Sequence, residues 1–418
     1  MIENWNKPTP AQSAFAEPLF NRVGKPIRPS PVKTATSTQL PYAGVATSVR
    51  PLPGKEGLSE NLAGLKVATL AGGVGGAKMI QGIVNAIESS NVTAIVNTGD
   101  DTVLHGLCIS PDLDTVTYTL AGIIDREKGW GLTDESWTVM DTLAEFNGET
   151  WFRLGDKDIA LHMFRTDMLN RGATLSEITS TLCNHFGITA HILPMSDKPV
   201  STMLTLMDSE EEIGFQEYFV KLSHAVPVSR IRYSGAEASV AAPGVIEALT
   251  SADVIVICPS NPFLSILPIL SVPDISTLLP SPFYGTDSGQ IYSPNAGSLI
   301  EESTPTNQHH INPAIRAKTV AVSPVIAGKA LRGPADRLLG EMGLEPTAVG
   351  VARIYKDIAS VFIIDSQDIK LKEEIEAMGM TCLVANTIME GIESSRNLAI
   401  ETIRAAIQAK SSTIHYNE

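Results

Sequence analysis

Cysteine is scarce in this chain: four residues in 418, at positions 108, 183, 258 and 382, with no paired spacing. That scatter excludes a disulfide framework and a zinc cluster; the four read as small buried hydrophobes in a reducing compartment. Basic residues are also few, 31 Lys and Arg against 46 Asp and Glu, a net charge of −15. A nucleic-acid-binding surface needs a basic face, so that class is set aside, although backbone dipoles and a bound metal can still hold a phosphate ligand. No apolar run reaches membrane-spanning length, and the N-terminus lacks the apolar core of a secretory signal, so a cytoplasmic protein with no membrane partner is expected. Nucleophile signatures are missing as well. There is no G-x-S-x-G elbow and no Cys/His pairing with motif support, which favours direct transfer over a covalent intermediate.

The composition, 43% hydrophobic and 18% charged, is that of a globular enzyme. Residues 1–60 stand apart, with nine of the 26 prolines, seven Lys/Arg against four Asp/Glu, and no sustained periodicity. Such a segment buries too little to offset its ordering entropy and is expected to be a disordered leader, with an arm that wraps a partner as the other reading. From residue 61 to 418, strands and helices alternate. Strands are expected at 67–71, 93–97, 188–193, 254–257, 319–322, 361–364 and 381–385, and helices after Gly76, after Ser110-Pro111, and near 134–145, 157–170, 174–186 and 393–409. Segments 203–207 and 215–220 read as two strands of a hairpin. The pattern predicts an α/β fold: an open, mostly parallel, doubly wound (Rossmann-like) sheet with a smaller inserted helical and hairpin lobe over 130–245. Residues 276–314, rich in Ser, Pro, Thr, Asn and Gly, read as a surface insertion, and His309 and His310 within it as solvated side chains.

The most informative stretch is Leu70-Ala71-Gly72-Gly73-Val74-Gly75-Gly76-Ala77-Lys78. An apolar strand enters four glycines and leaves as a helix, a turn whose backbone N–H groups and helix N-terminus can seat a phosphate. Ala77 and Met79 break the Walker pattern, and Lys78 stands where the dinucleotide fingerprint needs its third glycine. The next strand runs into Asn97-Thr98-Gly99-Asp100-Asp101, and Asp112 and Asp114 follow in the first turn of a helix opened by Ser110 as N-cap and Pro111. Acids in a first turn also complement the helix dipole. Four carboxylates on two loops at one sheet edge point to a divalent cation, and magnesium takes a few carboxylates plus substrate phosphate oxygens. Further polar loops are Gly155-Asp156-Lys157-Asp158, ahead of a helix carrying His162 and Arg165, then Pro194 to Thr202, and Pro259-Ser260-Asn261-Pro262. Ser323-Pro324 and Gly333-Pro334-Ala335 complete the ring.

Together and in order, the stretches LAGGVGGAK, VNTGDD, SPDLDTVTYTLAGIID, GWG at 129–131, LGDKDIALHMFR, ILPMSDKPVSTML, CPSNPFLSI, AVSPVI and GPA resemble the 2-phospho-L-lactate transferase (CofD-like) family of deazaflavin coenzyme F-420 biosynthesis. The resemblance spans residues 65 to about 400; the leader and the 276–314 segment depart from the family pattern. It implies transfer of a phospholactyl, phosphoenolpyruvyl or phosphoglyceryl group from a guanosine diphosphate-activated donor to the ribityl hydroxyl of 7,8-didemethyl-8-hydroxy-5-deazariboflavin (Fo). GMP is released, Mg2+ is the expected metal, and a homodimer is expected. On that reading Gly73, Gly75 and Gly76 hold donor phosphates, and Asp101 and Asp114 are the catalytic, metal-holding pair, with Asp100 and Asp112 as alternative ligands. One of these carboxylates takes the acceptor's proton. Lys78, Lys157 and Arg165 are phosphate-binding cations, Asn97, Ser260 and Asn261 bind substrate, and Ser196, Asp197 and Thr202 line the acceptor side. The alternative is a related family of non-enzymatic nucleotide-sugar-binding regulators, which carry GGGTG at the turn and lack the PDLDTV helix start. An NAD-dependent oxidoreductase is a weaker third because the fingerprint is broken.

Overall fold

Short continuous apolar runs build the centre of the molecule. In the computed structural model, which describes residues 62, 64–280, 290–292 and 313–414, seven such runs form one sheet. They are β1 (Val67–Ala71), β2 (Val92–Val96) and the strands His191–Pro194, Val254–Ile257, Thr319–Val322, Val361–Asp365 and Thr381–Ala385. All six pairings are parallel, as expected for a doubly wound sheet. Every residue of β1 is buried. Its alternate side chains divide between two cores, Ala68 and Leu70 on one face and Val67 and Ala71 on the other. Burial on both faces is why these strands read as unbroken apolar runs without alternation.

The order across the sheet is Thr381–Ala385, Val361–Asp365, Thr319–Val322, Val254–Ile257, β1, β2, His191–Pro194. The chain winds outward from β1 through β2 and His191–Pro194, then returns to pair Val254–Ile257 with the other side of β1 before continuing the opposite way. The reversal opens a crevice at the carboxyl ends of β1 and Val254–Ile257, the place where such sheets bind ligands. Helix α1 (Gly73–Ala86) leaves β1 directly into that crevice, and α2 (Pro111–Ala121) packs beside it. On its far side α1 meets the helix Ile392–Ile414. Gly82 permits the approach, since a Cβ there would lie 2.2 Å from the Ser395 carbonyl oxygen.

A second, antiparallel sheet runs in the order Gln290–Tyr292, Val228–Ser234, Ser201–Leu206, Glu212–Gly214. Helices Thr138–Glu145, Asp156–Asn170 and Leu175–His185 lie between α2 and this sheet in sequence. The expected strand over 215–220 is absent: strand pairing ends at Gly214, and Glu217–Lys221 is a π-helical turn that buries Tyr218. Ser201–Leu206 pairs on one side with the short strand Glu212–Gly214 and on the other with Val228–Ser234, whose buried residues alternate with period two over its second half. Ser110 does not cap α2, because its hydroxyl donates to Asp101. All four cysteines are free thiols, three buried and Cys108 half-buried. The 1–60 leader, His309 and His310, and most of 276–314 lie outside the described residues.

The strand Val361–Asp365 ends on a carboxylate that fixes the next loop. Asp365 accepts hydrogen bonds from the Gln367 amide, the Thr387 amide and the Thr387 hydroxyl, each at 3.0 Å. Burial pushes this carboxyl up, but those donors outweigh it and hold it below the usual carboxylate range. A lowered acid stabilises the fold above its unfolded pKa and loses that contribution as pH falls through its folded value. Asp365→Asn should therefore cost about 1–3 kcal/mol at pH 7, with the gap to wild type closing as urea denaturation is repeated below pH 4.

Candidate active site

Two loops meet where the sheet reverses. Gly72, at the end of β1, donates its N–H to Ser260 Oγ (3.2 Å) and accepts from the same hydroxyl through its carbonyl (2.8 Å), which latches the loop after Val254–Ile257 onto the glycine turn. Asn261 caps the π-helical turn Pro262–Ile266 by accepting from the Phe263 and Leu264 amides. The glycines are required by close approach. A Cβ on Gly75 would sit 2.4 Å from the Pro259 carbonyl oxygen, and one on Gly76 would sit 2.7 Å from Ser260 Oγ. Gly73 has φ +65, the left-handed region that glycine adopts freely.

Asp112 binds the turn to the neighbouring loop. Its Oδ1 accepts the Gly73 amide at 2.6 Å and its Oδ2 accepts Asn97 Nδ2 at 3.0 Å. Asn97 is fully buried; its Nδ2 also faces the Leu264 carbonyl (3.2 Å) and Asp100 (3.3 Å), and its Oδ1 accepts the Gly99 amide (2.8 Å). Asn97 thus organises the loops from behind. Asp100 also accepts Gln216 Nε2 at 3.4 Å. Burial first, then repulsion from Asp112 and Asp101, raises the Asp100 carboxyl well above its ordinary range. Burial pushes Asp112 up to about 6 against the bonds from Asn97 and Gly73. Since Asp112 takes the Gly73 amide, the first-turn amides of Val74 and Gly75, whose carbonyls four residues back lie in β1 and accept from Cys258 and Asn97, are the ones open to an anion.

The facing wall comes from α2 and the helix Asp156–Asn170. Asp114 pairs with the Arg165 guanidinium through Oδ1, while its Oδ2 is buried without a hydrogen bond. Among the described residues Arg165 is the largest fully buried side chain, and it lies 3.1 Å from His162 Nδ1. Asp158, one turn before His162, accepts the Tyr118 hydroxyl at 2.6 Å. Arg165 is therefore tied to Asp114, so it acts inside the wall.

These groups line a cavity of about 600 Å³. Of the residues singled out in the sequence, it brings together Gly73, Gly75, Lys78, Asp100, Asp112, Asp114, His162, Ser260 and Asn261. Gly76 lies behind the turn against Ser260 and Ala71. Asp101 is not in the lining; its Oδ2 accepts the Ser110 hydroxyl at 2.8 Å, because neighbouring acids on one turn point opposite ways. Ser196, Asp197 and Thr202 are also outside the lining. Ser196 donates to the Val240 carbonyl (2.7 Å), Asp197 accepts the Ser176 amide (2.8 Å) at the start of the Leu175–His185 helix, and Thr202 pairs by backbone with Gly99 (2.6 Å). Lys157 donates to the Thr133 carbonyl, an exposed contact away from the cavity.

The lining adds residues that sequence reasoning passed over. Lys128, Arg153 and Arg332 join Lys78 as cations. Lys128 Nζ and Arg153 lie 5.0 and 4.8 Å from the Trp137 ring centroid, and Arg332 donates to the Lys128 carbonyl at 2.6 Å. Burial, then the Arg332 charge, lowers the Lys78 ammonium, which donates to the Met389 carbonyl at 2.9 Å. Phe215 and Phe219, stacked with centroids 5.3 Å apart, supply an apolar wall. Their spacing of four residues was a helical signal.

Helix propensity alone would favour Gly75→Ala by about 1 kcal/mol. Because the new methyl meets the Pro259 carbonyl, the substitution should instead destabilise by about 1–3 kcal/mol, read as a lower melting temperature.

The family model described as 2-phospho-L-lactate transferase CofD matches residues 67–283. A phosphoenolpyruvate transferase of Streptomyces griseus is 38% identical over 350 residues, covering 83% of this chain and 100% of the relative. One from Kitasatospora aureofaciens is 36% identical over 351 residues, covering 83% and 99%. Among solved structures, a UPF0052-family protein of Bacillus halodurans aligns with a TM-score of 0.48 at 15% identity, over 81% of this chain and 99% of that one. With a family match across more than half its length and relatives this similar end to end, the chain belongs to the 2-phospho-L-lactate transferase CofD family, transferases of phosphoacid groups in coenzyme F-420 biosynthesis.

Proposed function

We propose that this chain transfers a phosphoacid group from a guanosine diphosphate-activated donor to the ribityl hydroxyl of Fo and releases GMP. The carrying observation is the charge of the cavity wall: Asp100, Asp112 and Asp114 from the sheet-edge loops, with Lys78, Lys128, Arg153 and Arg332 from other segments. A wall of carboxylates alone repels a diphosphate; carboxylates with cations and open helix amides suit a diphosphate that brings a metal. The printed names of the relatives, phosphoenolpyruvate transferases, favour an enolpyruvyl donor.

Asp100, Asp112 and Asp114 are the residues that would hold Mg2+. They fit it because Asp114 Oδ2 is buried without a partner and because burial disfavours charge on Asp100 and Asp112 until a cation compensates. When bound there, the ion supplies charge neutralisation for the diphosphate and departing GMP. The chain's own residues position. Val74 and Gly75 offer amides to donor phosphate oxygens, Ser260 keeps the turn open, and Lys78, Arg332 and Lys128 hold the outer anionic groups. Phe215 and Phe219 suit a planar acceptor. The acceptor oxygen attacks the phosphorus bearing the acid, its hydroxyl proton passes to one of the cavity carboxylates, the bond from that phosphorus to GMP breaks, and GMP leaves with the electron pair. Positioning and charge neutralisation carry most of such a reaction. A cytoplasmic homodimer is part of the proposal; four free thiols suit a reducing compartment.

Incubating the protein with Fo, Mg2+ and each guanylated phosphoacid should give, with at least one donor, GMP and a product heavier than Fo by that phosphoacid group, identified by mass. No product with any donor, together with saturable UDP-sugar binding, would reverse the reading in favour of the regulator family. Asp114→Asn should lower kcat/KM by about 10²–10³-fold, and because it leaves the buried Arg165 guanidinium without its counter-charge it should also lower the melting temperature.

A further inference from the structure

The loop after α2 ends in a tip that holds its own shape. Ile124 and Leu132 form an antiparallel bridge at its base. Within it, Asp125 Oδ1 accepts the amides of Glu127 (3.0 Å) and Lys128 (3.1 Å), the Asp125 carbonyl accepts the Gly129 amide (2.7 Å), and the Asp125 amide donates to the Gly131 carbonyl (3.0 Å). Lys128 Nζ pairs with Asp125 Oδ2 at 3.0 Å. A tip bonded mainly to itself opens as a unit about its base unless something outside fastens it.

Arg332 fastens it. Among the described residues, the hydrogen bond that joins the 125–131 tip to a distant part of the chain runs from Arg332 Nη1 to the Lys128 carbonyl, at 2.6 Å. Gly129 makes the approach possible. It is buried between exposed Lys128 and Trp130, its φ is +78, and a Cβ there would overlap the Arg332 guanidinium and lie 3.1 Å from Val74 Cγ1. The tip therefore rests on the side chain of Val74, the residue whose amide is open in the anion seat. Lys128 and Arg332 both line the cavity, as does Lys78, whose ammonium is lowered by burial first and by the Arg332 charge second. A guanidinium carries five N–H donors and no acceptor. With Nη1 given to Lys128, the rest of the Arg332 fork has no protein partner among the described residues. One side chain can thus fasten the tip and still face an anion.

We propose that Arg332 is a positioning residue for the donor: it clasps the Asp125–Gly131 tip down over the glycine turn, with Gly129 as the point of contact, and the donor's diphosphate tightens the clasp. The Lys78 and Arg332 charges repel each other, and a polyanion between them relieves that repulsion. By linkage, the factor by which the anion favours the closed tip is the factor by which the closed tip favours the anion. Closure also removes water from around the phosphates, which strengthens each charge contact there. This inference rests on the reading of the glycine turn as the donor's anion seat. Its first measurement needs neither Fo nor a guanylated phosphoacid.

Arg332 is exposed, so its substitution leaves the core intact. Hydrogen exchange of the full chain, read by mass spectrometry on peptides covering 125–131, should be slow in wild type and slowed further by inorganic pyrophosphate with Mg2+. In Arg332→Ala, exchange over 125–131 should speed up about tenfold, that of Gly73–Ala86 should not change, and pyrophosphate should have no effect at the tip. Arg332→Gln, which keeps an N–H donor and loses the charge, should retain more protection than Arg332→Ala. Gly129→Ala keeps the charge and blocks the approach, and it should expose the tip as Arg332→Ala does. In turnover, Arg332→Ala and Gly129→Ala should each raise KM for the donor about tenfold, while kcat and KM for Fo change less than about 3-fold. The inference is overturned by wild-type tip exchange in Arg332→Ala or Gly129→Ala, by an equal loss of protection in Arg332→Gln, or by a wild-type donor KM in both variants. A raised KM in Arg332→Ala with Gly129→Ala unaffected would make Arg332 an anion-binding charge and overturn the clasp. Wild-type turnover of Fo reports the earlier reading; tip exchange reports this one.

Discussion

A buried carboxylate that bridges two loops is the contact on which this crevice depends. Asp112 enters the first turn of α2 and closes on the Gly73 amide with one oxygen and the Asn97 amide with the other. Through Asn97 it also reaches the Leu264 carbonyl. The glycine turn, the acidic loop and the segment after Val254–Ile257 thereby share one anchor. Cβ-free backbone makes this possible, since a Cβ on Gly72 would lie 2.2 Å from Asp112 Oδ2. The turn that looks like an anion seat is therefore half-filled by the protein's own anion, and this moves the expected contacts one residue along, to Val74 and Gly75.

The opposite wall is ordered by a cation that never reaches solvent. Arg165 is buried among Asp114, His162 and the Cys108 carbonyl. Burial works against its charge, and Asp114 more than compensates, so the guanidinium is held above its ordinary value. An ion pair so enclosed is weak evidence of added stability. Its effect here is directional: it commits one oxygen of Asp114 and leaves the other bare.

Much of this was legible from residue order. Runs such as Val254–Ile257 and Val361–Asp365 are buried on both faces, and an unbroken apolar string bounded by polar loops has few other solutions. The loops after β1, β2 and Val254–Ile257 converge because a parallel sheet puts its carboxyl ends on one edge, so Gly73, Asp100 and Ser260 could be grouped in advance. What could not be read was side-chain direction. Asp100 and Asp101 are adjacent, yet one enters the cavity and the other turns to Ser110. Ser196 and Asp197 lie in a loop dense with polar groups whose hydrogen bonds tie it to Val240 and to the start of the Leu175–His185 helix. The segment 215–220 has the composition of a strand but the spacing of a helix, and Gln216, which reaches Asp100, belongs to it. The cations Arg153 and Arg332 carry no local motif, because only tertiary packing brings them to the cavity.

The latch between Gly72 and Ser260 joins residues 188 positions apart. β1 and β2 can pair early, being close in sequence, but the other side of β1 stays open until Val254–Ile257 has been made. During vectorial synthesis the glycine turn therefore leaves the ribosome facing an empty lane of the sheet. Its crevice closes only after nearly two hundred further residues have been added, and until then a nascent chain holds an exposed strand edge beside the glycine turn.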